Sequence, residues 1–220
     1  MYRILFVASF AMLLANPTSS QVGRQTPADS AKRLTLTQLW TSDATYTDRL
    51  NGVVFRYPSV WRNEGMGGFN PPLLVVSAEK PIAAFGYSAG GFGPDRDIGP
   101  YSTTNLEGFG IVYSAAPAAN RAECDARAAS ISENPEDRTV VFGGRAFSES
   151  DTSNGGMSQP TSGKLYATYV RPNCYLFEID VAVALSVDDV AYLTPAQLDF
   201  INTHLSDIMK SVWIAPTQRQ

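Results

Sequence analysis

The stretch Cys174–Ala184 alternates without a break. Tyr175, Phe177, Ile179, Val181 and Val183 fall on one side, and Leu176, Glu178, Asp180 and Ala182 on the other. Alternation over this length specifies a β-strand, since a helix would scatter the same residues around its circumference. One side is fully apolar and the other mixed, as expected of a strand in a sheet whose second face is partly covered. Lys164–Val170 precedes it across Arg171-Pro172-Asn173, so the two segments read as a hairpin.

Other segments repeat this arrangement. Thr139–Phe142 and Arg145–Ser150 flank Gly143-Gly144, a two-residue turn in which both positions tolerate positive φ. Ala44–Tyr46 and Val53–Tyr57 flank a loop that closes on Asn51-Gly52, and Pro58 then stops the strand because it lacks a backbone donor. Trp61 is expected to fold back over the sheet end, with its indole N–H seeking one partner. Leu73–Ser77 and Ile82–Ser88 are short apolar runs read as buried strands, Gly90–Pro100 is irregular, and Asp151–Gly163 reads as a polar loop.

Two helices are expected. Ala118–Ser132 is alanine-rich with few breakers. Thr194-Pro195-Ala196-Gln197 is a capping box with proline at the first helical position. The helix it opens carries Leu198, Ile201, Leu205, Ile208, Met209 and Val212 on one stripe, which should pack on the sheet. Strands that neighbour strands through hairpins, with helices inserted late, define an α+β class with a mainly antiparallel sheet flanked by helices.

Residues 1–20 stand outside this fold. Arg3 precedes the uncharged run Ile4–Ala15, and Pro17 and the small residues Thr18-Ser19-Ser20 follow, which is the pattern of a secretory signal peptide cut before Gln21. The run is shorter than the roughly 20 residues a membrane-spanning helix needs. The expected organisation is a signal peptide at 1–20, a loose polar leader at 21–40, a single domain at 41–216 and a tail at 217–220. Such a protein is secreted or periplasmic and does not span the membrane. In an oxidising compartment the two cysteines, Cys124 and Cys174, are expected to form one disulfide.

Composition narrows the function. The 17 basic and 21 acidic residues give a net charge of −4 with no basic block, which argues against nucleic acid as a partner. One histidine and two cysteines cannot build the usual zinc site. Asp95-Arg96-Asp97-Ile98-Gly99 opens like a calcium loop, but Gly99 and Leu106 stand where the loop needs ligands, so neither a metal nor a cofactor is expected.

The run Gly52-Val53-Val54-Phe55-Arg56-Tyr57-Pro58-Ser59-Val60-Trp61 resembles the opening of the PsbP-like superfamily, in which a strand runs into a Tyr-Pro-x-x-Trp turn. Gly143-Gly144-Arg145 before a strand, the Tyr166-to-Val183 hairpin and a closing helix ending near Ser211 are compatible with it. The resemblance covers about residues 44–214. It implies an antiparallel sheet sandwiched between helices, in a secreted protein without enzymatic activity. The superfamily includes photosystem accessory subunits and a regulator of a nuclear-transport GTPase, and no residue here carries either activity over. The disulfide and the Gly90–Pro100 insert lie outside its pattern.

One motif points elsewhere. Gly86-Tyr87-Ser88-Ala89-Gly90 matches the G-x-S-x-G nucleophile elbow, and Asp180, Asp188, Asp189, Asp199 and then His204 follow in hydrolase order. A small secreted serine esterase using Ser88 and His204 is therefore the alternative. Gly91-Phe92-Gly93-Pro94 cannot start the helix an elbow requires, and His204 sits inside the closing helix. The preferred expectation is an exported, non-catalytic binding or accessory protein for a protein or small-ligand partner. Its candidate binding surface is the aromatic, glycine-rich stretch carrying Tyr87, Phe92 and Tyr101.

Overall fold

The computed structural model describes residues 34–63, 81–89, 99–132, 134–154, 161–185 and 191–216. In chain order the elements are α1 (Leu36–Trp40), β1 (Ala44–Asp48), β2 (Val53–Tyr57), β3 (Arg62–Asn63), β4 (Ala83–Ser88), β5 (Leu106–Pro117) and α2 (Arg121–Ala129). They continue with β6 (Asn134–Phe142), β7 (Arg145–Asn154), β8 (Thr161–Val170), β9 (Asn173–Val183), α3 (Pro195–Lys210) and β10 (Trp213–Ile214). The class is α+β. A seven-stranded antiparallel sheet runs β3-β4-β5-β9-β8-β7-β6, and a small three-stranded one runs β1-β2-β10.

The hairpins form where the turn residues require them. Gly143 and Gly144 both adopt positive φ (54° and 77°), the backbone of a tight turn between right-twisted strands. In the β1–β2 turn Asp48 Oδ1 accepts from the N–H groups of Leu50 and Asn51 (2.9 and 3.1 Å), and Gly52 closes the loop at φ 67°. α3 starts at the expected capping box, with Thr194 Oγ1 accepting from Gln197 N. It buries Ile201, Leu205, Ile208 and Met209.

The strict alternation of β9 divides the large sheet into two faces. Tyr175, Phe177, Ile179 and Val181 join Phe55, Phe85, Phe109, Tyr113 and the α3 stripe in the main core. Cys174 and Leu176, with Leu165 and Ala167 of β8, form a second, smaller cluster with Cys124, Ala128 and Ile131. α2 therefore lies against one face, and α3 with the small sheet against the other. The Cys124–Cys174 disulfide joins α2 to β9, its Cα atoms 5.2 Å apart and both residues buried. Trp61 is buried as expected, and its indole N–H donates to Leu39 O at 2.9 Å.

Four segments differ from the sequence reading. β5, a segment given no element in the sequence reading, is the long strand between β4 and β9. Its Gly108 and Gly110 lie on one face while Phe109, Ile111 and Tyr113 line the core, so pairing on both edges overrides the weak strand propensity of glycine. Leu36–Trp40, assigned to the polar leader, is a helix with its own capping box from Thr35 and Gln38, and Leu39 is fully buried. β7 and β8 extend into the expected loop at 151–163, pairing Asp151 with Lys164 and Thr152 with Gly163. α2 is shorter than Ala118–Ser132, starting where Asn120 Oδ1 caps Glu123 N at 2.9 Å. The expected strand Leu73–Ser77 lies outside the described residues.

Candidate functional site

Strand register bears on the hydrolase alternative. Ser88 pairs with Gly108, which pairs with Ala182, so its side chain is on the α2 face. His204 belongs to α3, which packs on the opposite face. The sheet itself separates the two residues. An elbow also needs the N–H after the serine for the oxyanion, but Ala89 N already donates to Glu107 O at 2.8 Å as the ladder continues. His204 Nδ1 lies 2.8 Å from Phe200 O, which places its proton on that nitrogen, and its ring packs against Phe200 and Trp40 at centroid distances of 4.0 and 4.9 Å. It serves as a packing residue on the α1–α3 seam.

Two residues of the candidate aromatic surface are buried. Tyr87 and Tyr101 are only 2% and 4% exposed, and both contact Phe109 in the main core. Tyr87 points inward because it shares the strand parity of Phe85, a rule the sequence carried but which needed the β4–β5 register to apply. Phe92 lies outside the described residues.

A cleft the sequence did not reveal lies between α2 and the β6–β7 hairpin, with a volume of about 540 Å³. Ala128 and Ala129 make one wall low and smooth, and Arg121 and Asp125 stand beside them, bonded to each other at 2.9 Å. Thr139, Ser148 and Ser150 point toward α2 by register and offer hydroxyl groups. Arg138 and Glu149 border it as well, but by the same register their side chains, 3.5 Å apart, turn to the α3 face, where Glu149 pairs with Tyr166 of the main core. Glu149 is 7% exposed and is also held by Lys164 Nζ, which reaches Asp151 as well. Burial opposes the charge on Lys164, but these carboxylates outweigh it and hold its pKa above the ordinary lysine value. The Arg121–Asp125 pair is nearly half exposed on each side, so a ligand could displace it at little cost.

Further along the α2 face lies a pair of acids. Glu178 and Asp180, two residues apart on one side of β9, are each 2% exposed. The rung through Asp180 reads Gly86, Gly110, Asp180, Gly163, Thr152 across five strands. With no side chain at Gly163, the Asp180 carboxylate leans over β8, where an added Cβ would meet its Oδ1 at 2.1 Å. Thr152 Oγ1 lies 3.5 Å from that oxygen. Burial, and next the charge of Glu178, push the Asp180 pKa well above the usual carboxylate range. Sequence alternation put both acids on one face but could not show that the face was buried.

No protein-family model and no curated protein matches the chain. Solved structures similar to it include a protein from Bacteroides thetaiotaomicron VPI-5482, with a TM-score of 0.41, 12% identity and 81% of this chain covered. The match spans about half of that chain, 51%. Another is LpqN of Mycobacterium tuberculosis, described as involved in cell envelope biogenesis, with a TM-score of 0.41, 9% identity, and 79% of this chain and 90% of that one covered.

Proposed function

We propose that the protein is an exported, non-catalytic binding or accessory protein with a PsbP-like domain, and that it meets its partner at the cleft between α2 and β6–β7. The cleft carries this reading. It combines a smooth alanine wall, hydroxyl groups and one exposed ion pair, Arg121–Asp125, and its helical wall is tied covalently to the central strand β9. A surface of this kind offers donors and acceptors in fixed positions, with no nucleophile among its lining side chains activated by a neighbouring base. The layering of α2, sheet and α3 supports the PsbP-like sandwich. The disulfide is compatible with an extracytoplasmic location, and among the described residues no helix is long and apolar enough to cross a membrane. The domain then follows a signal peptide at 1–20 and a leader shortened by α1.

The reading is tested with a photo-crosslinking residue placed at Ser150 in the cleft or at Asp199 on the exposed side of α3. Used on intact cells of the source organism, the Ser150 probe should give a discrete adduct that Arg121→Glu abolishes. Equal adducts from both positions, or none from either, would place recognition elsewhere.

A further inference from the structure

We infer that Asp180, Glu178, Thr152 and Thr161 form a site for one hard divalent cation, calcium in an exported protein, on the α2 face of the sheet. Two observations meet there. The first is the acid pair, since two carboxylates side by side in a buried place repel each other and are poorly solvated. The second concerns Thr161, which lies on the same face one rung away, in the row Ser88, Gly108, Ala182, Thr161. Its side chain is 4% exposed, and its Oγ1 has no hydrogen-bond partner. Asp180 Oδ2 has no donor among the other side chains, and the carboxyl it belongs to lies within hydrogen-bond reach only of Thr152 and the second acid, Glu178. Buried polar atoms left without a partner call for an ion or a water, and here they gather on adjacent rungs of one face.

The chemistry of the set selects the cation. All donors are oxygens, from carboxylates and hydroxyls, which suit calcium or magnesium rather than zinc or copper. Among the described residues no cluster of three or more carboxylate, imidazole or thiol side chains occurs, so the hydroxyls have to complete the set. Such a mixed set, fixed by strand geometry, suits the flexible coordination of calcium better than the strict octahedron of magnesium, which also gives up its water reluctantly. Gly163 and Gly110 flank Asp180 on both neighbouring strands, so no Cβ at that level crowds the carboxylate. A cation there would neutralise the repulsion that otherwise opposes folding. The site is separate from the cleft and does not depend on it.

The test uses the full mature chain, stripped with EDTA and dialysed at pH 7. It is titrated with calcium chloride, and in parallel with magnesium chloride and with sodium chloride at matched ionic strength. Calcium should bind one per chain, with Kd in the range of about 10⁻⁴–10⁻³ M common for extracellular modules. At tenfold excess over Kd it should raise Tm by about 3–6 °C, while sodium does not. Asp180→Asn should abolish the calcium-dependent shift while folding at least as well as wild type in EDTA, because the buried charge is gone. Thr161→Val keeps the acids and should weaken calcium by about tenfold. A wild-type Tm that ignores calcium overturns the inference, as does an equal shift in Asp180→Asn. A Tm that rises on acidification but does not respond to calcium at pH 7 would show that a proton alone, and no cation, relieves the pair, and overturns it too.

Discussion

Replacing both Cys124 and Cys174 by alanine removes the one covalent link between α2 and the sheet. The bond closes a loop with a sequence separation of 50. The chain-entropy relation for that length gives about 4 kcal/mol of stabilisation, acting through the unfolded state. The native side adds to it. α2 reaches the sheet through the small cluster of Cys124, Ala128 and Ile131 on Leu165, Ala167, Cys174 and Leu176, in which most side chains are small. Losing two buried sulfur atoms from it leaves little apolar contact to hold the helix. For a domain of this size, about 4 kcal/mol corresponds to a fall in Tm of about 8–16 °C. Urea titration of wild type and the double variant without reductant should show the midpoint displaced accordingly. Hydrogen exchange should show α2 amides losing protection before those of β5 and β9, since the main core does not touch the disulfide. A midpoint changed by less than about 0.5 kcal/mol equivalent, with α2 protection intact, would refute the reasoning, because α2 would then be held by contacts other than this cluster.

Leu205→Ala should cost about 2–5 kcal/mol, as Leu205 is 1% exposed in the main core, whereas Thr203→Ala on the exposed side of α3 should stay within about 0.5 kcal/mol. Equal small losses in denaturant titrations would make α3 peripheral. In metal-free buffer the raised pKa of Asp180 means that the native state holds a proton the unfolded chain has already lost. Stability contributed there is therefore present below the ordinary aspartate pKa and declines as pH rises above it. Asp180→Asn should flatten that decline, and the same pH slope in variant and wild type between pH 4 and 7 (roughly the window set by the ordinary aspartate value) would count against it. Purified protein should not turn over short-chain aryl esters, and Ser88→Ala should change nothing. Hydrolysis abolished by that substitution would require Ser88 and His204 to meet across the sheet.

Much of the fold is legible in local spacing. The period of two in β9 and the glycine pair at 143–144 specify hairpins whatever lies around them. The capping box at Thr194, with apolar residues following at helical spacing, likewise gives α3 and its buried face. Two cysteines allow a single intramolecular pairing, and that pairing is the one formed. Tertiary structure decided the rest. β5 became a strand because β4 and β9 pair with both its edges, although its glycines argue against one locally. Alternation told which residues share a face, but not which face of the sheet α2 and α3 would cover. That choice put Ser88 and His204 on opposite sides, turned Tyr87 inward, opened the cleft beside α2 and buried Glu178 with Asp180. Local sequence sets the period and the caps, because these depend on backbone geometry within a few residues. Burial and the meeting of distant side chains depend on which elements pack together, and that is settled only when the whole apolar surface is shared out among them.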